Sequence, residues 1–452
     1  MLTHHRRAVR RALILVTTLG LVSTFVISPA ATAKAKKKTT KKAAATTVKK
    51  NTAAKPAGSI TGGGGSKNSG TIKLGTYASG INAATGAAIP EETKKISQVW
   101  ETMTNAAGGI NGYKVEVLYR DARGDNARTL AAVKDLDSKG VVAIAGQGEA
   151  ARLPAIVDYV NQKKIPVIGG QPYNLVNCSD PMLFPVPTCQ AASTYGAATA
   201  AAAVGTKNFR DLFCIEVAAC AAAVPIRTRA VQREGMKFSS ESASAVAADY
   251  TAPCLSAKNA GIDFIQSTGL NFANLIRDCQ RQNYHPTYAQ GGAAAQSTID
   301  AAKGENVAGN LTEAGAFYTG PEMARFRQAV AQTDLKYSEA TLSQTAVQSW
   351  LGLEMAGAII KKLSGPNPSR ADFLAATYTI KGETLNGQVP PMDFTVQRPG
   401  TGLHANSDCW TQHVLKDGVF FHADRNGQVV SRLTWICGTG LKYVIGSDPT
   451  PA

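Results

Sequence analysis

Asn105-Ala106-Ala107-Gly108-Gly109-Ile110-Asn111-Gly112-Tyr113-Lys114-Val115-Glu116-Val117-Leu118-Tyr119 is the stretch on which the fold turns. Ahead of it, Pro90 to Ala107 reads as a helix. Pro90 suits the first turn, Glu91 and Glu92 suit the positive end of the helix dipole, and Ile96, Val99, Trp100, Met103 and Ala107 share one face. Gly108-Gly109 stops that helix, and Val115, Val117 and Tyr119 then alternate as a strand. A helix turned by glycines into an apolar strand is one half of a βα repeat.

The repeat extends in both directions. Ile72–Gly75 starts a strand, Ala127–Ser138 is a helix ended by Gly140, and Val141–Ala145 is a continuous apolar run, as expected for a strand covered on both faces. Helix Leu153–Gln162, strand Pro166–Gly169, helix Ser193–Val204 and strand Leu212–Val217 follow. Then come helices Pro225–Glu234 and Tyr250–Asn259, strand Ile262–Gln266, helix Phe272–Asn283 and strand Thr287–Ala289. Such alternation implies parallel sheets with right-handed crossovers. Ser343–Leu363 is the longest helix, and Gln344, Gln348, Glu354, Lys361 and Lys362 argue against its spanning a membrane. Past it the pattern changes: Asp417-Gly418 and Asn426-Gly427 are hairpin signals between strands Thr411–Leu415, Val419–His422 and Val429–Leu433.

The same stretch, continued by Arg120-Asp121 and Gly124-Asp125, resembles the "NAAGGINGrkv…rDd.gdp" segment of the type I periplasmic-binding-protein-like, branched-chain amino-acid-binding family. Looser similarity runs through Gly140–Gly146, Asp249–Ala252, Ile262–Gly269 and Val414–Phe420, so it covers about residues 71–425. The resemblance implies an α/β fold of two Rossmann-like lobes with parallel sheets, joined by crossover strands, with a ligand cleft between the lobes. It implies capture of a small molecule and an ABC importer permease as partner. The expected segments are 71–189 plus 322–395 for one lobe and 190–321 plus 396–452 for the other.

Gly146-Gln147-Gly148-Glu149-Ala150-Ala151 follows the Val141–Ala145 run and matches a G-x-G-x-x-A dinucleotide fingerprint. A nucleotide is disfavoured because Ile165–Gly170 offers no acidic residue for the ribose. A cleft loop touching a ligand, or a plain βα turn, are the remaining readings. The resemblance places the family's ligand-holding Ser near Ala150, its Thr at Tyr173, its Tyr near Ala221 and its ammonium-pairing Glu near Ala308. The clamp for a free amino acid is thus dismantled, and a buried zwitterion without partners costs several kcal/mol. Tyr77, Gln147, Gly148, Glu149, Gln171, Tyr173 and Glu216 are the candidate ligand-binding residues, lining a pocket for a neutral or monoanionic small organic molecule.

Enzyme signals are missing: there is no G-x-S-x-G, no H-E-x-x-H and no P-loop spacing. His404, His413 and His422, nine residues apart, read as surface histidines, and Arg152, Arg227, Arg229 and Arg281 as solvated helix-face charges. No cofactor, metal or catalytic residue is expected.

The eight cysteines all lie past position 170 and group as neighbours, which favours disulfides Cys178–Cys189, Cys214–Cys220, Cys254–Cys279 and Cys409–Cys437. Oxidised cysteines suit an exported chain. Residues 1–33 read as a signal peptide: Arg6, Arg7, Arg10 and Arg11, the apolar run Ala12–Ile27, and Ala31-Thr32-Ala33 as a small-residue cleavage site. Residues 34–70 read as a tether of Lys, Gly, Thr, Ala and Ser, either a plain linker or an adhesive for an anionic wall polymer or membrane surface. The formal charge of the 452 residues is +16. Residues 1–70 hold fourteen of the basic side chains and none of the acidic ones, leaving 34 against 32 in the remainder. Nucleic acid is therefore not an expected partner of the near-neutral body, which is expected to be a secreted, envelope-associated monomer.

Overall fold

The structure is a computed structural model, and it describes residues 68–80, 91–290, 296–311, 318–338, 342–395, 409–416, 419–430, 435–436, 441–442 and 450–451. The signal and tether expectations, His404 and Cys437 lie outside these residues.

The first sheet is built from β1 (Thr71–Ala78), β2 (Lys114–Asp121), β3 (Ala143–Ala145), β4 (Val167–Ile168) and β5 (Leu183–Phe184). Its order is β2-β1-β3-β4-β5, with every pairing parallel. Helix Glu92–Ala106 lies against β1 and β2 and buries Ile96 and Trp100. It ends where the sequence indicates: Gly108 and Gly109 have positive φ, and a side chain on Gly109 would collide with the Tyr113 carbonyl. Residues from Met323 to Phe394 pack into the same core, above all helix Gln344–Ile360, which buries Trp350, Leu351, Leu353 and Ile359.

The second sheet contains β6 (Asn208–Cys214), β7 (Lys237–Ala243), β8 (Phe264–Thr268), β9 (Thr287–Gln290) and β10 (Val307–Leu311). These five run parallel in the order β7-β6-β8-β9-β10, which repeats the plan of the first sheet. Two short strands, β11 (Lys381–Glu383) and β12 (Met392–Asp393), form a separate antiparallel pair. The hairpin β13 (Thr411–Lys416) and β14 (Val419–Ala423) then adds antiparallel strands beside β10. Of the third tail strand, Val429 makes an antiparallel bridge to Ala423, and 431–433 lie outside the described residues.

Three expectations need correction. The first strand of the second sheet is Asn208–Cys214, not Leu212–Val217, because two charged residues inside it are buried. Arg210 is held by Glu241 and Ser256 at 2.9 Å each, and Asp211 is bonded to Arg227 and accepts from Thr268 Oγ1 at 3.0 Å. Arg227 is accordingly a core residue and not a solvated charge. His413 and His422 are also buried; they face each other across β13 and β14 with ring centroids 5.6 Å apart. Both neighbours Gln412 and His413 are inaccessible, so β13 is covered on both faces, which polar alternation alone concealed.

Disulfides Cys178–Cys189, Cys214–Cys220 and Cys254–Cys279 are formed as expected. Cys409 is also disulfide-bonded.

Arg227→Met strands the Asp211 carboxylate in the core, so unfolding free energy is expected to fall by about 3–5 kcal/mol. Restoring much of it with Asp211→Leu in the Arg227→Met background, measured by urea unfolding, separates the stranded charge from lost packing.

Candidate functional site

In a parallel sheet of order 2-1-3-4-5, the chain leaves β1 and β3 in opposite directions, and a crevice opens beyond their C-terminal ends. In the first sheet that crevice is bounded by Ser79-Gly80 after β1 and Gly146–Glu149 after β3. The two loops are stitched together by Gly148 N–H donating to the Tyr77 carbonyl at 2.8 Å. A third loop, Gly169–Tyr173 after β4, joins them through Gln171 N–H to the Gln147 carbonyl at 3.0 Å.

The candidate residues fall into three groups. Gln147, Gln171 and Tyr173 form one polar web with the N-terminal half of helix Gln344–Ile360. Gln147 Nε2 donates to the Gln171 carbonyl at 3.1 Å, and its Oε1 accepts from Glu149 N–H at 2.7 Å. Gln171 Nε2 donates to Thr345 Oγ1 at 2.8 Å, and Tyr173 is bonded to Gln344. Tyr77 belongs to a second group with the apolar core of Val133, Ile144 and Leu153. Its hydroxyl is buried without a hydrogen bond, and burial together with the Glu149 charge pushes its pKa up. Glu216 stands apart on the second sheet's side, exposed, accepting from Ser244 Oγ at 2.5 Å and from Ala245 N–H. The Ser244 bond holds its pKa down.

Glu149 is the group with reactive potential. It is 5% exposed, and burial raises its pKa to about 6, against the opposing pull of Arg152 and a hydrogen bond from Ser79. Arg152, read from sequence as a solvated charge, is half-buried here with its Nε lacking a hydrogen-bond partner. Sequence reasoning took Arg152 only as a surface charge, passed over Ser79, and used Gln344 and Gln348 only against a membrane span. A glutamine-threonine-glutamine-serine face on an otherwise apolar helix was the available signal.

The second sheet presents a different face. At its own switch point, beyond β6 and β8, the Cys214–Cys220 disulfide fills the crevice so tightly that a side chain on Gly269 would meet Cys214 Sγ at 2.8 Å. Cys214, Val217, Cys220 and Ala245 form a small apolar cluster, and Ala151 from the first sheet's loop packs on it. The strand-end loops of the two sheets therefore meet, polar on one side and apolar on the other. Ala221 is exposed on the short helix Ala218–Ala222 after β6. Ala308 lies inside β10, buried with Phe209, Phe264 and Ala289, and so is not at a strand end. The neighbouring strand β9 ends at Gln290, and the loop that follows it lies outside the described residues.

A family profile described as periplasmic binding protein matches residues 97–418. The chain belongs to that family. Solved structures share the fold: a substrate-binding protein of an ABC transporter from Aeropyrum pernix superposes with a TM-score of 0.65 at 17% identity, covering 78% of this chain and 94% of its own. A leucine-binding protein from Thermotoga maritima gives 0.62 at 14%, covering 78% and 98%. A solute-binding protein from R. palustris in complex with benzoate gives 0.62 at 13%, covering 80% and 97%. No curated protein matches the chain by sequence.

The raised Glu149 pKa has a definite sign. The folded state holds the proton more tightly than the unfolded chain, so this group's contribution is greatest below the ordinary glutamate value and is lost as pH rises through about 6. Relative to Glu149→Gln, the native protein is expected to lose about 2 kcal/mol across that window, measured by urea unfolding at pH 4.5 to 8. A pH-independent difference would place Glu149 in water. A second expectation concerns Gly352, whose added Cβ would lie 2.5 Å from Gly146 N and 2.8 Å from the Ile168 carbonyl. Gly352→Ala is expected to cost about 1–3 kcal/mol and to weaken solute binding through displaced loops, read by unfolding and by calorimetry.

Proposed function

We propose that this protein is an exported solute-binding protein that holds a small organic molecule between two lobes, 71–189 plus 322–395 and 190–321 plus 396–452, and delivers it to an ABC importer. Membership of the periplasmic binding protein family and likeness to an ABC transporter substrate-binding protein support the binding role and the extracytoplasmic setting. The disulfides agree with export.

The observation that carries the ligand class is the contrast between the two faces. One offers Gln147, Glu149, Arg152 and Tyr173; the other offers a disulfide, Val217 and Ala245. Such a seam suits a molecule with an apolar body and one polar or singly anionic end. Arg152 meets that end, and the glutamine amides, bonded within the loops, hold the site in shape around it. A zwitterionic amino acid is disfavoured, because the positions expected to grip its two charges are Ala150, Tyr173, Ala221 and Ala308. The benzoate-bound neighbour is an aromatic monocarboxylate complex of this fold, which makes aromatic and aliphatic monocarboxylates the first compounds to try.

The alternative is an extracellular ligand sensor or wall-associated interaction module using the same fold. It is favoured only if ligand binding is retained while uptake of that ligand is unaffected by deletion of the gene. The primary test is native mass spectrometry of the purified protein, followed by calorimetry against monocarboxylates and amino acids. A monocarboxylate is expected to bind at micromolar or tighter dissociation constant, weakened about tenfold or more by Arg152→Gln, while leucine gives no heat. Micromolar leucine binding would overturn the ligand class.

A further inference from the structure

The N-terminal edge of the first sheet, opposite the cleft loops, collects lysines. Lys114 opens β2, Lys139 follows helix Asn126–Ser138, Lys163 and Lys164 end helix Val157–Lys163, and Lys361 and Lys362 follow helix Gln344–Ile360. All six residues are exposed. None forms a direct ion pair among the described residues: Lys163 acts on Asp137 only at longer range, and the carboxylates at this edge have nearer partners. Asp137 is held by Arg370 at 2.6 Å and by the Tyr159 hydroxyl at 2.7 Å, Glu116 lies 4.0 Å from Lys73, and Asp372 closes a capping box with Ser369.

Hydrogen bonds make these lysines one surface. Lys114 N–H donates to the Gly70 carbonyl, and Asn111 Nδ2 donates to the Lys361 and Leu363 carbonyls. Lys73 Nζ reaches the Lys139 carbonyl, and Arg370 bridges the Lys163 and Val141 carbonyls. Between Lys163, Lys164 and Arg370 lies a cavity of about 590 Å3, lined also by Ala371, Leu374 and Tyr378. The chain enters the fold here: Asn68 bonds to Asn111 and Gly365, and the sequence from Lys34 to Lys67 holds ten further lysines. At the same edge of the second sheet the signs are mixed: Lys303 pairs with Asp300, His285 meets Glu305, and the Asp263 carboxylate accepts from the Lys207 and Asn208 backbones.

We propose that this edge is a docking surface for an anionic lipid bilayer. Phosphate headgroups match the six unpaired lysines, and the apolar groove between Lys163, Lys164 and Arg370 accepts acyl-chain surface, which a soluble phosphate polymer does not offer. Docking here leaves Gln147 and Glu149, at the far end of the same strands, free to take up solute. The lysine-rich sequence before Asn68 acts in series with this surface and does not replace it.

The test uses the full chain with vesicles of phosphatidylglycerol and phosphatidylcholine, vesicles of phosphatidylcholine alone, and soluble poly(glycerol phosphate). The native protein is expected to co-sediment with the phosphatidylglycerol vesicles only, with affinity falling as salt rises. Lys163→Glu, Lys164→Glu, Lys361→Glu and Lys362→Glu together are expected to weaken binding about 600-fold or more, at about fivefold for each of the four lysine charges lost near the surface, although the ten upstream lysines are intact. Lysines at helix ends also offset helix dipoles, so urea midpoints are measured alongside. A neutral set, Lys114→Gln, Lys139→Gln, Lys163→Gln and Lys164→Gln, must weaken binding in the same direction. Native-like vesicle binding by both variants, or capture by poly(glycerol phosphate) without vesicle binding, would overturn the proposal.

Discussion

Gly352, in the middle of helix Gln344–Ile360, touches backbone on two loops at once. A methyl group there would press on Gly146 N and on the Ile168 carbonyl, and one on Gly169 would press on Gly352 Cα in return. Side chains elsewhere can repack by changing rotamer, but backbone against backbone has no such freedom. The loops after β3 and β4 are thus set in height and direction by a helix about two hundred residues away in sequence. Their left-handed glycines, Gly146 and Gly169, let the chain turn within that limit.

From this contact the polar site follows. With Gly146 seated against the Ser349 carbonyl, Thr345 and Gln344 come within hydrogen-bonding reach of Gln171 and Tyr173. The web leaves Glu149 buried beside Ser79 and Arg152. A carboxylate in such a place is held partly in its protonated form near neutrality, because water has been replaced by side chains that solvate it incompletely. The neighbouring Tyr77 hydroxyl feels the same deficit, lying buried without a hydrogen bond. Burial is the shared property that shifts both groups.

The fold was legible where periodicity and glycine punctuation agree. Helix Glu92–Ala106, its Gly108-Gly109 stop, and β2 all stand within a residue or two of expectation. Legibility failed where a polar residue is buried by a partner distant in sequence. Asp211 and Arg227 are sixteen residues apart and each alone reads as surface, and His413 with His422 misled for the same reason. Strand β7, Lys-Phe-Ser-Ser-Glu-Ser-Ala, escaped notice because it lies at the sheet edge and needs no apolar face of its own. The loop Gly146–Glu149 was found from its position after an apolar strand. Arg152 was not, because its surroundings come from packing that no local pattern encodes.

Cysteine placement reflects a difference between the two halves of the core. The first sheet is packed by Trp100, Trp350, Phe184 and Phe326. Against the second lies helix Gln190–Ala203, ten of whose residues are buried, most of them alanine. Alanine buries little area and contributes correspondingly little hydrophobic stabilisation. The three local disulfides all lie in that half: Cys178–Cys189 fixes the entry to the alanine helix, Cys254–Cys279 ties two helices, and Cys214–Cys220 closes the end of β6. Each closes a short loop and so lowers the entropy of the unfolded chain by a modest, local amount. The disulfide at the end of β6 also stiffens the face that meets Ala151, so both sides of the seam are rigid, one by glycine contact and one by covalent closure.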